Sequence, residues 1–541
     1  MPYTAHLDTF ARDHLPPVES QPAFLFDLPE LQFPERLNCA TELLDRAVKE
    51  GRGERPCVSA PGGPSWTYAE LQRQADRIAH VLVKDCGLVT GNRVLLRSAN
   101  KPMAVACWFA IMKAGGIAVA TMPMLRAKEL KQIVEKGQVD FALCDQKLRG
   151  DLEMLLPVTP VLQRIVSFGD PSPDGLEALM ARHDGPFANV DTAADDTCLL
   201  AFTSGTTGQP KATMHFHRDV MASCVCFPTY VLRADENDVF IGSPPLAFTF
   251  GLGGLTLFPM HVGASTVLLE KAGPNELIEG LVAHRATVLF TAPTSYRAMA
   301  PAAKERRIGV RDGGALRKCV SAGEVLPAAT RALWKEATGI ELIDGIGATE
   351  MLHIFISADE ATARPGATGK AIPGYRAKVV DEEGKELAPN TVGKLAVQGP
   401  TGCRYLDDER QANYVRDGWN YTGDAYLMDA DGYFHYQSRT DDMIVSSGYN
   451  IAAPEVEEAL MGHAAVAECA VIGVADAERG QIVKAFVVLR PPYRGDAAMV
   501  KTLQDFVKAT VAPYKYPRAV EFRESLPRTE TGKLQRFRLR G

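Results

Sequence analysis

The stretch "FTSGTTGQPKATM", Phe202 to Met214, follows the apolar run Cys198-Leu199-Leu200-Ala201 and carries five hydroxyl side chains, two glycines and one lysine. A short apolar run that stops at such a loop reads as a buried strand ending at an anion site. Glycines and backbone amides wrap phosphate oxygens, hydroxyls add donors, and Lys211 adds a point charge. The loop is not the Walker form GxxxxGK[ST], because Lys211 follows Pro210 and precedes Ala212. A Ser/Thr/Gly loop alone is as readily a surface turn; SGTTG closed by Pro-Lys favours the phosphate cradle.

The loop sits in an alternation of short apolar strands and amphipathic helices, the pattern of parallel sheet covered by helices. Upstream, Leu71, Ala75, Ile78, Ala79 and Leu82 mark one helix face. Strands follow at 94–96, 117–120 and 141–143, with helices at 103–113 and around Leu130, Ile133 and Val134. Downstream, a strand at 198–202 opens a second block containing strands 266–269, 287–290, 319–321 and 341–343, with helices after His217, at 276–284 and at 327–337. Short strands rich in Gly and Pro follow about Gly366, and a compact α+β pattern follows Arg439. The expected fold is α/β: a large N-terminal domain of two doubly wound lobes plus a β-rich subdomain, with a small mobile α+β C-terminal domain. The expected limits are 1–439, subdivided at about 1–195, 196–365 and 366–439, and then 440–541.

Bulk properties narrow the function. With 541 residues, 46% hydrophobic, 23% charged and a net charge of -7, the chain has no global attraction to nucleic acid or to an anionic membrane. The 11 cysteines contain no CxxC pair and read as reduced core thiols, with no structural metal. The first residues lack the apolar core of a secretory signal, and the apolar segment Met103–Leu125 is broken by Lys113 and Gly115-Gly116. A cytoplasmic protein, monomeric or homodimeric, is expected.

TSGTTGQPK resembles the phosphate loop of the adenylate-forming superfamily, which includes acyl- and aryl-CoA synthetases, peptide-synthetase adenylation domains and firefly luciferases. Further motifs occur in the family's order: "WTYAEL" from Trp66, "SAGEVLP" from Ser321, "GIGATE" ending at Glu350, "YTGD" ending at Asp424, "SRTDD" ending at Asp442 and "PRTETGKLQR" from Pro527. The resemblance implies an enzyme that couples a carboxylate to AMP using ATP and Mg²⁺ and then transfers the acyl group to the thiol of coenzyme A. The alternatives are a stand-alone adenylation enzyme loading a carrier-protein thiol, or a ligase for another small carboxylic acid.

Roles follow by resemblance. Thr203, Ser204, Gly205, Thr206, Thr207, Gly208 and Lys211 hold phosphate. Gly323, Glu324, Val325, Asp344 and Gly345 line the adenine slot, Asp424 holds the ribose, and Arg439 adds a ribose or phosphate contact. Glu350 is the Mg²⁺ ligand, as suits a hard cation that takes oxygen donors and bridges phosphates, with Thr349 beside phosphate. Lys533 bridges the substrate carboxylate and α-phosphate, Asp441 is the hinge, and Gly448 lies by the CoA thiol's path.

The stretches "LAFTFGLGG" from Leu246 and "GATEMLHIF" resemble benzoate-CoA and 2-aminobenzoate-CoA ligases. They imply an acyl pocket of Thr249, Phe250, Ala322, Ile346 and His353. Phe250 offers a flat wall and Gly251, Gly253 and Gly254 allow close backbone packing, which suits a small aromatic acid better than a long chain. Thr249-Phe250 stands where a benzoate ligase is expected to carry alanine then tyrosine, and this departure points to an ortho-substituted ring.

Overall fold

The computed structural model describes residues 3–204, 210–309, 313–440, 444–446, 449–476, 479–511, 513–528 and 534–540. These form two compact units, Met1–Ala377 with Val397–Asn420, and Lys378–Ala396 with Tyr421–Gly541.

Two α/β lobes make up most of the first unit. One is built on a six-stranded sheet ordered Arg164–Phe168, Phe141–Asp145, Arg93–Arg97, Ile117–Thr121, Thr197–Ser204 and Pro210–Phe216. All its neighbours run parallel except the last pair. Arg93–Arg97 and Phe141–Asp145 are buried at every position, as strands covered by helices on both faces must be. The apolar segment after Met103 is a helix, Pro102–Lys113, sunk in this lobe. The Lys113 ammonium at its end is paired with Asp45 at 2.6 Å and Asp76 at 2.9 Å, so the buried cation is compensated.

The other lobe carries a nine-stranded sheet: Lys370–Ala371, Ile354–Ser357, Leu342–Gly347, Lys318–Ser321, Val288–Thr291, Val239–Gly242, Ser265–Val267, Pro56–Ser59 and Ser65–Thr67. Its six central strands, from Leu342–Gly347 to Pro56–Ser59, are parallel. WTYAEL starts the helix Tyr68–His80 through a capping box: the Glu70 amide donates to Thr67 Oγ1 at 3.2 Å, and the Thr67 amide donates to Glu70 Oε2 at 2.8 Å.

The lobes do not divide where chain order suggests. Pro56–Ser59 and Ser65–Thr67 join the nine-stranded sheet, whereas Thr197–Ser204, read from sequence as opening the second block, closes the first sheet against Ile117–Thr121. Period-2 and apolar patterning identify a strand and its buried faces but not its neighbour, which is set by packing between distant segments.

In the second unit, Tyr449–Ile451, Ile444–Ser446, Gly480–Leu489 and Val466–Asp476 form a sheet that Ala519–Phe522 joins in parallel beside Gly480–Leu489. The helices Ala453–Met461 and Ala497–Thr510 bury Val456, Leu460, Leu503 and Val507 in its core. A further small sheet, with Val392–Gln398, Trp419–Met428 and Phe434–Arg439 among its strands, contributes most of its residues to this unit. Among the described residues no helix is long and apolar enough to cross a membrane.

Candidate active site

The two ends of the opening stretch lie in paired strands. Thr203 pairs with Lys211 and Ser204 with Pro210 across the antiparallel strands Thr197–Ser204 and Pro210–Phe216. Along the second strand side chains alternate. Ala212 and Met214 enter the first lobe's core, which leaves Lys211, Thr213 and His215 on the opposite face. That face meets the turn Thr349–Met351, which follows the strand Leu342–Gly347 of the other lobe. His215 Nε2 donates to the Thr349 carbonyl at 2.8 Å. Tyr405 completes the arrangement: its hydroxyl donates to Glu350 Oε1 in a short bond and accepts from Lys211 Nζ at 3.1 Å. Thr349, Glu350 and Lys211, widely spaced in sequence, are thus gathered in one place.

The residues expected to line an adenine slot follow the carboxyl ends of adjacent parallel strands, with Ser321 opposite Asp344 in register. This is where α/β sheets bind ligands. Ala322 is buried, Gly323 turns the chain at φ 88°, and Val325 is 48% exposed. Glu324 accepts weakly from the Thr294 amide at 3.4 Å. Asp344 Oδ1 is sealed from solvent; burial pushes the carboxyl up to about 7, against the pull of Arg331. Gly345 faces Ile354, whose Cγ2 would lie 2.8 Å from an added Cβ.

A tight reversal separates Glu350 from His353: Leu352 sits at φ 67°, and the His353 amide donates to the Met351 carbonyl at 2.9 Å. The His353 ring lies within an aromatic box, with centroids 4.4 Å from Phe258, 5.5 Å from Phe227 and 5.7 Å from Phe250. Phe290 packs behind Phe250 with its ring tilted, centroids 5.6 Å apart. Burial holds the His353 pKa at about 3, so the ring is neutral at physiological pH. The Phe250 backbone lies near the ring, but neither ring nitrogen makes a well-aligned hydrogen bond among the described residues. The glycines are as tight as their sequence suggests. A Cβ on Gly253 would lie 2.9 Å from His353 Nε2, and one on Gly254 would lie 2.8 Å from Phe290 Cε1. Thr249 and Phe250 start the helix Thr249–Leu252 and are half-buried, as is Ile346.

Within the second unit, Asp424 and Arg439 face each other across paired strands and form an ion pair at 3.0 Å. Arg439 Nη1 also donates to the Thr422 carbonyl at 3.0 Å. Gly205, Thr206, Thr207, Gly208, Asp441, Gly448 and Lys533 lie outside the described residues.

Sequence reasoning missed Tyr405, His215 and two of the box phenylalanines, Phe227 and Phe258, together with Phe290 behind them. Phe290 reads only as the end of a strand, and Phe258 goes unread although it stands two helical turns beyond Phe250 on a helical run. Nothing near Tyr405 carries a signal of its own. The thiols also hold a surprise: the ligand atoms of Cys39, Cys198 and His217, all buried, lie within 4.8 Å of one another. Burial pushes the Cys39 thiol up, but the Cys198 hydrogen bond and His217 outweigh it and bring it down to about 6.

Glu350 fits a Mg²⁺ role. It is a nearly buried carboxylate that shares the Tyr405 hydroxyl with Lys211, and Mg²⁺ takes one or two protein carboxylates and completes its shell with phosphates and water.

A two-lobed α/β unit that gathers a lysine, a nearly buried acid and the carboxyl ends of parallel strands has the parts of a nucleotide-dependent enzyme. Residues 44–404 match the AMP-binding enzyme family and residues 455–533 match the AMP-binding enzyme C-terminal domain. The chain belongs to this family, the adenylate-forming superfamily that its motifs resemble. It is 35% identical over 521 residues to a benzoate--CoA ligase of Thauera aromatica, covering 95% of this chain and 97% of that protein. Among solved structures it is similar to the anthranilate CoA ligase AuaEII in complex with anthranoyl-AMP, at 33% identity and TM-score 0.87, covering 95% of this chain and 98% of that one. It is also similar to a benzoate CoA ligase from Burkholderia xenovorans LB400, at 30% identity and TM-score 0.85, covering 93% and 100%.

Proposed function

We propose that the protein is an ATP-dependent aryl-CoA ligase acting on a small aromatic acid, 2-aminobenzoate or benzoate. In the first step a carboxylate oxygen attacks the α-phosphorus of ATP, the bond to the β-phosphate oxygen breaks, and pyrophosphate leaves. In the second the CoA thiolate attacks the acyl carbon, the bond to the AMP oxygen breaks, and aryl-CoA and AMP result. A thiol pKa near 8.5 leaves enough thiolate at neutral pH for so activated an ester.

Residue roles follow the same reading. Thr203 to Gly208 and Lys211 bind phosphate. Ala322 to Val325 with Asp344 and Gly345 border the adenine and the acyl group. Asp424 and Arg439 hold the ribose. Glu350, with Thr349 beside it, holds Mg²⁺, which when bound neutralises phosphate charge. Lys533, in the segment 440–541 that we take as the C-terminal domain after 1–439, stabilises charge developing in the first step. Asp441 is the hinge, and Gly448 borders the path of CoA.

The observation that supports an aromatic acid is the box of Phe227, Phe250 and Phe258 around a neutral His353, three residues beyond Glu350. Flat walls favour a ring over a flexible chain. Thr249, beside Phe250, is the residue we assign to an ortho substituent.

The test is pyrophosphate release with benzoate, amino- and hydroxybenzoates and short fatty acids, followed by thioester detection with CoA. Highest kcat/KM for an aromatic acid, with aryl-CoA formed, supports the reading. Preference for an aliphatic acid refutes the pocket assignment, and AMP formation without thioester favours carrier loading. Lys533→Ala is expected to abolish pyrophosphate release while sparing CoA transfer from supplied aryl-adenylate. Equal loss of both half-reactions removes Lys533 from its assigned step.

A further inference from the structure

The segment that presents Tyr405 does more than pass through the site. Residues 404–406 run beside the strand Pro210–Phe216: the Met214 amide donates to the Arg404 carbonyl at 2.8 Å and the Leu406 amide to the Ala212 carbonyl at 2.9 Å. Consecutive side chains then point to opposite sides of this added strand.

Arg404 is wholly buried, its guanidinium between the rings of Phe24 and Phe216 at 4.1 and 3.9 Å. It donates to Asp219 Oδ2 at 2.7 Å. Asp219, equally buried, accepts the Phe216 amide at 3.0 Å and so starts the helix His217–Phe227. The same carboxylate oxygen lies 3.7 Å from His215 Nδ1, too far for a hydrogen bond but packed against the ring edge. That ring holds the Thr349 carbonyl through its other nitrogen. Tyr405, 1% exposed, reaches the neighbouring Glu350 and stands between it and Lys211.

We propose that the dipeptide Arg404-Tyr405 is the positioning element of the Thr349–Glu350 turn. Tyr405 fixes the Glu350 carboxylate directly, and Arg404 holds Asp219 against the edge of the His215 ring, whose other nitrogen donates to the Thr349 carbonyl. Without the Tyr405 hydroxyl, the Lys211 ammonium and the Glu350 carboxylate are free to close on each other as an ion pair. A direct pair withdraws the acid from a metal and the cation from phosphate at once. The phenol keeps the opposite charges close but apart, so that each is available to Mg²⁺-ATP. The proposal rests on the reading of Glu350 as the Mg²⁺ ligand.

The test is ATP binding by calorimetry, in Mg²⁺ and in EDTA, on the full-length enzyme. Glu350→Gln is expected to raise the Kd for ATP in Mg²⁺ by an order of magnitude or more, with little change in EDTA. Tyr405→Phe, which keeps the ring, is expected to raise the Kd in Mg²⁺ on the order of tenfold, the effect of losing one hydrogen bond to a charged group. The decisive readout is the double variant. If Tyr405 acts through Glu350, Tyr405→Phe adds less than about twofold in the Glu350→Gln background, because coupled groups are non-additive.

Multiplicative losses, or no loss in Tyr405→Phe, overturn the proposal while leaving Glu350 in its role. If Glu350→Gln keeps the full benefit of Mg²⁺, the metal assignment and the proposal fall together. His215 gives an independent arm. His215→Gln, whose amide still donates to the Thr349 carbonyl, is expected to stay within about twofold of the parent, whereas His215→Met weakens binding in Mg²⁺ on the order of tenfold. Equal effects of the two substitutions overturn the Arg404–Asp219–His215 half.

Discussion

Gly253→Ala sets two known effects against each other at one atom. Gly253 has helical torsions, φ -60° and ψ -60°, so alanine meets no backbone obstacle and brings up to about 1 kcal/mol of helix propensity. Its methyl group would lie 2.9 Å from His353 Nε2, closer still to Cδ2, and 3.1 Å from Phe258 Cζ, where ordinary contact begins near 3.4 Å. His353 must therefore retreat by at least half an ångström, and Phe227, Phe250 and Phe258 already border it. Overpacking of this kind costs about 1–3 kcal/mol, so the net change is a destabilisation of about 0–3 kcal/mol. The effect on activity is larger, because displaced pocket walls misplace the ring of the acid. A tenfold or greater fall in kcat/KM for the aromatic acid is expected, with the KM for ATP held within about twofold. The control is Gly150→Ala in the helix Arg149–Glu153, where nothing lies within 4 Å of the added carbon and only the propensity gain remains. Urea midpoints report stability, and pyrophosphate release reports activity. A Gly253→Ala enzyme as stable as the Gly150→Ala control, with unchanged kcat/KM, would refute both the packing and the assignment of the pocket.

Two further predictions concern buried charge. Arg404→Met leaves the Asp219 carboxylate uncompensated in a dry site and is expected to destabilise the first unit by about 3–5 kcal/mol, with most of the loss recovered in Arg404→Met/Asp219→Asn; a thermal shift in the double variant as large as in the single contradicts the pairing. Asp344 has its carboxyl pKa raised to about 7 by burial, so its favourable contribution is complete below about pH 4 and is lost as pH rises through 7. Asp344→Asn should accordingly raise the melting temperature at pH 8 by more than at pH 5, and equal shifts at the two pH values contradict this sign.

The elements that carry the motifs were legible because each signal is local. The capping box of Thr67 and Glu70, the strand before SGTTG and the helix faces of Leu503 and Val507 all follow from residues within a few positions of one another. Sheet membership was not legible. Pro56–Ser59 and Thr197–Ser204 exchange the lobes that chain order assigns them, since a strand's pattern says which faces are buried and not which strand lies beside it. The same limit hid Tyr405, on a short bridging segment whose significance comes from Glu350 and Lys211, far from it in sequence. Lys211 was found through its motif, yet its alternation with Thr213 and His215 also placed His215 on the site's face, and that signal was available from period 2 alone.

A buried Arg–Asp pair is weak evidence for stability, because desolvation offsets much of the attraction, and an apolar replacement of both partners is often neutral. Arg404 and Asp219 therefore call for another reason. Asp219 is tied to the start of its helix, Arg404 to the strand that carries Tyr405, and His215 to the turn that carries Glu350. An apolar cluster of the same volume would fill the space but tolerate sliding of these three segments, whereas hydrogen bonds between charged groups fix direction as well as distance. On this argument the double variant that restores melting temperature should not restore the affinity for ATP in Mg²⁺. Stability and positioning separate there, and recovery of both together would mean that the pair serves packing alone.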